Sequence, residues 1–509
     1  MKKLFDFLTG RLVIISLLIL LQLTFLLLAV FRFSMDTVYI YLGLQALSFA
    51  IVLWIITKQD NPSYKIAWIV PIMAVPLFGG ILYLIFGNTT TGIRRDRRIR
   101  SYAYQQKIQG RTVIGTDVAD LSALPPHLRR QAAYVAKVGD HPVWKNTQTE
   151  YFPRGEDFWE ALLRELRQAK KFIFMEYFII EKGEMWDSIL EVLVQKAQEG
   201  VDVRLLFDDL GCIRTLPHRY EKKLEEAGIR CRVFNPLRPR LNSMFNYRDH
   251  RKITVIDGDV GFCGGINLAD EYVNRKERFG HWKDTAVLLR GDGVWNLTIM
   301  FLQLWGWRDK KLPDYETFRP SGRLYGDDGY VQPYGDSPVD GVNIAENIYL
   351  QILNNAKRYV YITTPYLILD NEMITALTLA AQSGVDVRIV TPHIPDKKYV
   401  HAVSRSNYRQ LIEAGVRIYE YTPGFIHGKM FVADDEVATV GTVNMDFRSF
   451  YLHYECGVIL YQNSAIRHIK EDILRTIDIS QSVHPKEDEK LSLLRRLGRA
   501  ILKAFAPLM

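Results

Sequence analysis

The chain opens on apolar runs that do not alternate with polar positions. Residues 12–31 carry no charge, and neither do 37–57 or 66–88. Each is near the 20 or so helical residues that cross a hydrocarbon core. A cleaved signal peptide is the competing reading for the first run. Its apolar stretch is longer than a signal core, and a second run follows almost at once. The third is interrupted by Pro71, Pro76 and Gly79-Gly80, so it is the one expected to kink or dip, because freed backbone groups need other partners. Lys2, Lys3 and Arg11 precede the first run, and Arg94, Arg95, Arg97, Arg98 and Arg100 follow the third. The positive-inside rule draws both clusters to the cytoplasm. Three spans put them on opposite sides, so either the N-terminal cluster yields or one run does not fully cross. In both cases the arginine-rich side, and all that follows it, is expected at the cytoplasmic face of the cell membrane.

From about Tyr151 short apolar strands alternate with amphipathic helices. Lys171–Ile180 reads as a strand, Trp186–Gln198 as a helix and Val201–Phe207 as a strand. The order returns as Tyr359–Thr363, Met373–Gln382 and Val385–Val390. Alternating βα units predict an α/β fold with helices layered on a mixed sheet. At the end, Leu491, Leu494, Leu497, Ile501, Leu502, Phe505 and Leu508 fall on helical spacing, with Arg495, Arg496, Arg499 and Lys503 between them. This is either a basic amphipathic helix for an anionic headgroup layer or a last helix docking its leucines on the body. The organisation expected is a membrane anchor over 1–90, a basic juxtamembrane linker over 91–148, α/β lobes over 149–335 and 336–480, and the C-terminal helix over 481–509.

The two lobes are copies. His250-Arg-Lys252-Ile-Thr-Val-Ile-Asp257 returns as His427-Gly-Lys429-Met-Phe-Val-Ala-Asp434. The flanks repeat too: Ala197-Gln-Glu-Gly-Val-Asp-Val-Arg204 answers Ala381-Gln-Ser-Gly-Val-Asp-Val-Arg388, and Gly264-Gly-Ile-Asn267 answers Gly441-Thr-Val-Asn444. A repeat of this length is two fused α/β units rather than a solenoid. No glycine-rich nucleotide fingerprint follows a strand in either half.

Composition adds little beyond the sign of the charge. The 509 residues carry a formal net charge of +8, which favours anionic partners: nucleic acid, phosphate or an anionic bilayer. Cys212, Cys231, Cys263 and Cys456 show no paired spacing, so they are expected as buried free thiols, with no disulfide and no structural metal.

The duplicated motif carries the chemistry. Successive side chains of a strand point to opposite faces, so the His and Lys of each copy face the same way. Lys252 and Lys429 suit a phosphodiester, because they neutralise its oxygens and hold the charge that builds there in the transition state. Asn267 and Asn444 offer neutral donors from the turn beyond each motif. Of His250 and His427, one would attack phosphorus and the other protonate the leaving oxygen, then deprotonate the incoming hydroxyl. Each imidazole needs a carboxylate to fix its tautomer. The first lobe offers Asp284 and the second Glu455. Asp257 and Asp434 are expected to tie off the motif strand rather than touch substrate. His218, His281, His393, His401 and His453 have no motif behind them and read as surface or core. No cofactor and no catalytic metal is expected, since the lysines do the charge work.

The doubled His-x-Lys-x4-Asp pattern with its trailing asparagine resembles the phospholipase D superfamily. Within it, Asn246-Tyr-Arg-Asp-His250-Arg-Lys252, Gly265-Ile-Asn267-Leu-Ala-Asp270-Glu271-Tyr272, Trp282-Lys-Asp284 and Asn444-Met-Asp446-Phe-Arg448-Ser449 resemble the membrane-anchored bacterial cardiolipin synthases. The likeness runs over nearly the whole chain. One departure is the run at 12–31, since the family commonly has two hydrophobic segments. The resemblance implies two phospholipase D-like lobes sharing one active site behind transmembrane helices. It also implies transfer of a phosphatidyl group from one phosphatidylglycerol to another through a phosphohistidine, giving cardiolipin and glycerol, with His250 the first to attack. Neither nucleic acid nor a protein partner is expected. The alternatives are a membrane phospholipase D, a phosphatidyltransferase using another alcohol and, more distantly, a phosphodiester nuclease.

Overall fold

The computed structural model describes Thr24 and residues 35–58, 61–74, 79–80, 82–87, 119–236, 247–307, 309, 314–326, 328–484 and 493–508. Apart from Thr24, the apolar run 12–31 lies outside the described residues, as do the five arginines of 94–100 and Leu491. The chain divides into two units. One comprises residues 1–97, 237–246 and 503–509, the other 98–236 and 247–502.

In the first unit the run 37–57 lies within one helix, Met35–Thr57. Of the run 66–88, the described residues form a helix at Pro62–Ala74, which contains Pro71, and a π-helical turn at Tyr83–Gly87; residues 75–78, 81 and 88 lie outside the described residues. Val52, Ile55, Trp68, Ile72 and Tyr83 make a small core, with Trp68 meeting Tyr83 edge-on at 5.4 Å. Leu42, Leu47, Phe49, Leu53, Ile66 and Val70 are exposed. Among the described residues no helix is long and apolar enough to cross a membrane.

The second unit holds two large sheets. The first runs in the order Thr147–Phe152, Ala286–Gly291, Val260–Gly264, Ile253–Ile256, Phe172–Tyr177, Asp202–Asp208, Arg230–Phe234. The second runs Tyr330–Asp336, His453–Tyr461, Val437–Gly441, Lys429–Ala433, Tyr359–Thr363, Asp386–Pro392, Arg417–Tyr421, Ser480–Ser482. Each has the same mixed plan, with parallel pairs on the βα side and antiparallel pairs around the motif strand. The second sheet therefore begins at Tyr330, a little before the expected boundary at 336.

The segment expected as a linker over 91–148 carries structure of its own. Helix Pro126–Gly139 buries Leu128, Ala132 and Val135 in one core with Ile344, Ile348 and Ile352 of the helix Ile344–Asn355. The i, i+4, i+7 spacing of those three residues makes this a packed surface helix. Between the sheets, helix Val294–Trp305 is buried on almost every side. Its Phe301 and Met300 share a core with Phe174 and Val255 from one lobe and Val432 and Val458 from the other.

Two short strand pairs join the lobes reciprocally. Arg248–Asp249, just before His250, pairs in parallel with His453 and Tyr454 of the second lobe. Gly424–Ile426, just before His427, pairs in parallel with His281–Lys283 of the first. Both motif entrances are thus held by the opposite lobe.

Candidate active site

The reciprocal pairing decides which carboxylate meets which histidine. The His250 backbone N–H donates to the Tyr454 carbonyl at 2.9 Å, which sets the next residue, Glu455, beside the imidazole. The His427 N–H donates to the Lys283 carbonyl at 2.7 Å and sets Asp284 beside its own. Nδ1 of His250 lies 2.9 and 3.0 Å from the two Glu455 oxygens, and Nδ1 of His427 lies 2.6 Å from Asp284 Oδ2. Each lobe's carboxylate therefore serves the other lobe's histidine. Both carboxylates are fully buried. Glu455 also accepts from the Thr442 hydroxyl, and Asp284 from the Thr285 N–H at 2.8 Å. With its Nδ1–H given to Glu455, His250 keeps the Nε2 lone pair free for chemistry. His427 Nδ1 is shared between Asp284 and Lys429 Nζ, which lies 2.7 Å from it.

Gly265 is required by this arrangement. A Cβ there would lie 2.1 Å from Asp284 Oδ1, so only glycine lets the turn approach the carboxylate.

Burial sets the electrostatics. It pushes His250 well below the usual imidazole range, helped by the charges of Lys252, Lys429 and His427. It lowers His427 to about 4, with Lys429 adding to the effect and Asp284 opposing it. Each histidine thus feels the lysine of the other motif, as expected of groups around one cleft. The lysines are lowered too, chiefly by burial: Lys252 to about 8 and Lys429 to about 7. Burial would raise the Asp284 carboxyl, yet the charges of His427 and Lys429 hold it below its ordinary value. Lys252 Nζ caps the His250 carbonyl at 2.6 Å, and Lys429 Nζ does the same for the His427 carbonyl.

The other expected residues divide. Asp257 accepts the backbone N–H groups of Lys170, Lys171 and Phe172 at 2.7–3.0 Å. Asp434 accepts those of Lys357, Arg358 and Tyr359 at 2.6–3.0 Å. Both have positive φ, 55° and 54°, so each closes the turn after its motif strand and touches neither histidine. Asn267 spends its amide on the loop: Oδ1 accepts from the Ile179 N–H at 2.9 Å, and Nδ2 donates to the Tyr272 hydroxyl at 2.7 Å. Asn444 is different. Its Oδ1 is buried with no partner, so of the two asparagines it has the freer amide.

The sequence profile described as "Cardiolipin synthase, PLD-like domain" matches residues 162–283 and 349–477, and one described as "Phospholipase_D-nuclease N-terminal" matches 46–88. A cardiolipin synthase of Geobacillus kaustophilus is 35% identical over 90% of this chain and 91% of its own length. The chain belongs to the cardiolipin synthase family of phospholipase D-like proteins. A protein of Streptococcus mutans is 44% identical over 90% of this chain and 99% of its own length. The crystal structure of phosphatidylserine synthase from Haemophilus influenzae superposes with a TM-score of 0.58 at 15% identity, covering 75% of this chain and all of that one. That likeness speaks for the fold alone.

Within this family member the sequence reading missed one neighbour. From the sequence His453 reads as a surface or core histidine. The strand pairing that delivers Glu455 also brings His453 to the site, with its ring 5.5 Å from that of His250. Its Nδ1 lies 3.5 Å from Glu455 Oε1, and neither ring nitrogen has a hydrogen-bond partner. Burial lowers it to about 4, against the pull of Glu455. The signal available was its position two residues before Glu455, on the same face of a strand.

Proposed function

We propose that this chain is a cardiolipin synthase that moves a phosphatidyl group between two phosphatidylglycerol molecules through a phosphohistidine. His250 Nε2 attacks phosphorus, and the phosphorus–oxygen bond to the headgroup breaks. The phosphate anion of the bound substrate opposes the burial that lowers His427 in the free protein, so His427 is protonated there and gives its proton to the departing glycerol oxygen. Its neutral form then takes the proton of the incoming hydroxyl as that oxygen attacks phosphorus and the phosphorus–nitrogen bond breaks. Each step conserves protons and electrons, and cardiolipin and glycerol leave in equal amounts. Lys252, Lys429 and the amide of Asn444 hold the phosphoryl oxygens. The observation that carries the reading is the pair of Nδ1–carboxylate contacts exchanged between lobes, which leaves two oriented imidazoles beside two buried lysines.

Family membership favours phosphatidylglycerol over other donors. The exposed apolar side chains of the helices Met35–Thr57 and Pro62–Ala74 suit a bilayer, where donor and acceptor are confined together at raised effective concentration. We place the chain in the cell membrane as a multi-pass protein, with residues 1–90 as its anchor and the lobes on the cytoplasmic side. The test is to give the purified protein phosphatidylglycerol alone in vesicles, with chelator. Cardiolipin and free glycerol in equal amounts support the reading. Phosphatidic acid as main product makes it a hydrolase, and cleavage of single-stranded DNA, offered separately, a nuclease.

A further inference from the structure

We propose that His250, His453 and Glu455 form a binding site for a transition ion of the Zn²⁺ class, and that its occupation switches the active site off. One ligand atom from each of the three lies within 4.8 Å of the others. His453 is held there with both ring nitrogens unpaired and a side chain only 10% exposed. A buried imidazole without partners is costly unless something uses it. Tetrahedral zinc with bonds of about 2.0–2.1 Å needs ligand atoms about 3.3 Å apart. Glu455 Oε1 lies 3.0 Å from His250 Nδ1 and 3.5 Å from His453 Nδ1, on either side of that spacing. Two imidazoles and a carboxylate are a known zinc ligand set that leaves a fourth position for water. The buried carboxylates of Asp284 and Glu455 offset the charges of Lys252 and Lys429.

The consequence follows from the tautomer. An ion on His250 Nδ1 takes that lone pair, so the Nδ1 proton moves to Nε2. No proton is lost and no redox change occurs, but Nε2 no longer has a lone pair with which to attack phosphorus. Silencing of transfer rests on the proposed function; ion binding does not.

The full chain, stripped with chelator and dialysed in detergent, is titrated with Co²⁺ and then Zn²⁺. The expected result is one Co²⁺ per chain with the intense visible bands of tetrahedral coordination, displaced by Zn²⁺. His453→Asn and His453→Gln should each weaken binding by more than about tenfold, and His393→Gln, beside Glu420, should leave it unchanged. Zn²⁺ should also inhibit cardiolipin formation. The inhibitory concentration should rise by the same factor in the His453 variants, each read against its own ion-free activity. Absent or octahedral bands, unchanged affinity in both His453 variants, or loss of the bands in His393→Gln would overturn the site. A bound ion with undiminished transfer would overturn the switch. If the ion-free protein makes no cardiolipin, the proposed function fails, while the cobalt bands still report on the site.

Discussion

Glu455→Gln isolates the exchange of carboxylates between lobes. The substitution keeps the shape and removes the charge from a group that meets His250 Nδ1 at 2.9 and 3.0 Å and accepts from Thr442. The site is fully buried, so water cannot take over the role. A hydrogen bond to a charged group contributes about 1.5–3 kcal/mol. Lost from the transition state alone, that is about 10- to 160-fold in rate, at 1.36 kcal/mol per factor of ten. The amide also presents an N–H as readily as a carbonyl, and in the flipped orientation it favours the wrong tautomer, so the loss should lie at the upper end. Rapid-quench kinetics with labelled phosphatidylglycerol separates the two steps. Glu455→Gln should slow formation of the covalent intermediate, although Glu455 lies in the lobe that does not carry His250. Asp284→Asn should slow proton transfer by His427 at both steps, and so should be the variant in which intermediate, once formed, persists. A Glu455→Gln protein with wild-type formation of the intermediate would refute the cross-lobe assignment.

Four further outcomes follow from the same geometry. His250→Ala and His427→Ala should each abolish turnover in the vesicle assay, and substantial activity in either would contradict a two-histidine scheme. Affinity for a soluble phosphodiester headgroup, measured by calorimetry between pH 6 and 9, should be greatest while both lysines are charged. It should then fall as pH rises through about 7 for Lys429 and about 8 for Lys252, because the proton-bound forms hold the anion; affinity that climbs with pH would count against the clamp. Asp257→Ala removes three backbone contacts at a positive-φ turn and should lower thermal stability by about 2–4 kcal/mol, with little change in activity per folded molecule. Gly265→Ala drives a methyl group into Asp284 and should cost activity well beyond its effect on the melting temperature.

Much of the lobe architecture was legible in the sequence. The strand read at Tyr359–Thr363 has those bounds, and Val201–Phe207 and Met373–Gln382 fall within two residues of Asp202–Asp208 and Asn371–Gln382. Such segments have one apolar period and clear turn residues at their ends, so local pattern decides them. The strand read over Lys171–Ile180 runs only Phe172–Tyr177, because Ile179 and Ile180 turn away to meet Asn267 and Cys212, a long-range demand with no local trace. The exchange of carboxylates was hidden for the same reason. Two- and three-residue strands such as Arg248–Asp249 carry no periodicity, and only the paired lobes reveal their partners. Asp284 and Glu455 could be picked out as candidates from their place after each motif, but not matched to a histidine. His453 has no motif of its own, and its one clue is its place two residues before Glu455 on the same strand.

The most direct measurement is to map the covalent intermediate. Phosphatidylglycerol labelled in its phosphate is mixed with Asp284→Asn protein, quenched under alkaline conditions that preserve phosphohistidine, digested and sequenced by mass. The account predicts label on the peptide carrying His250, formed and discharged at rates consistent with turnover. Cardiolipin formation with no labelled histidine, or label at a residue other than His250, would contradict it.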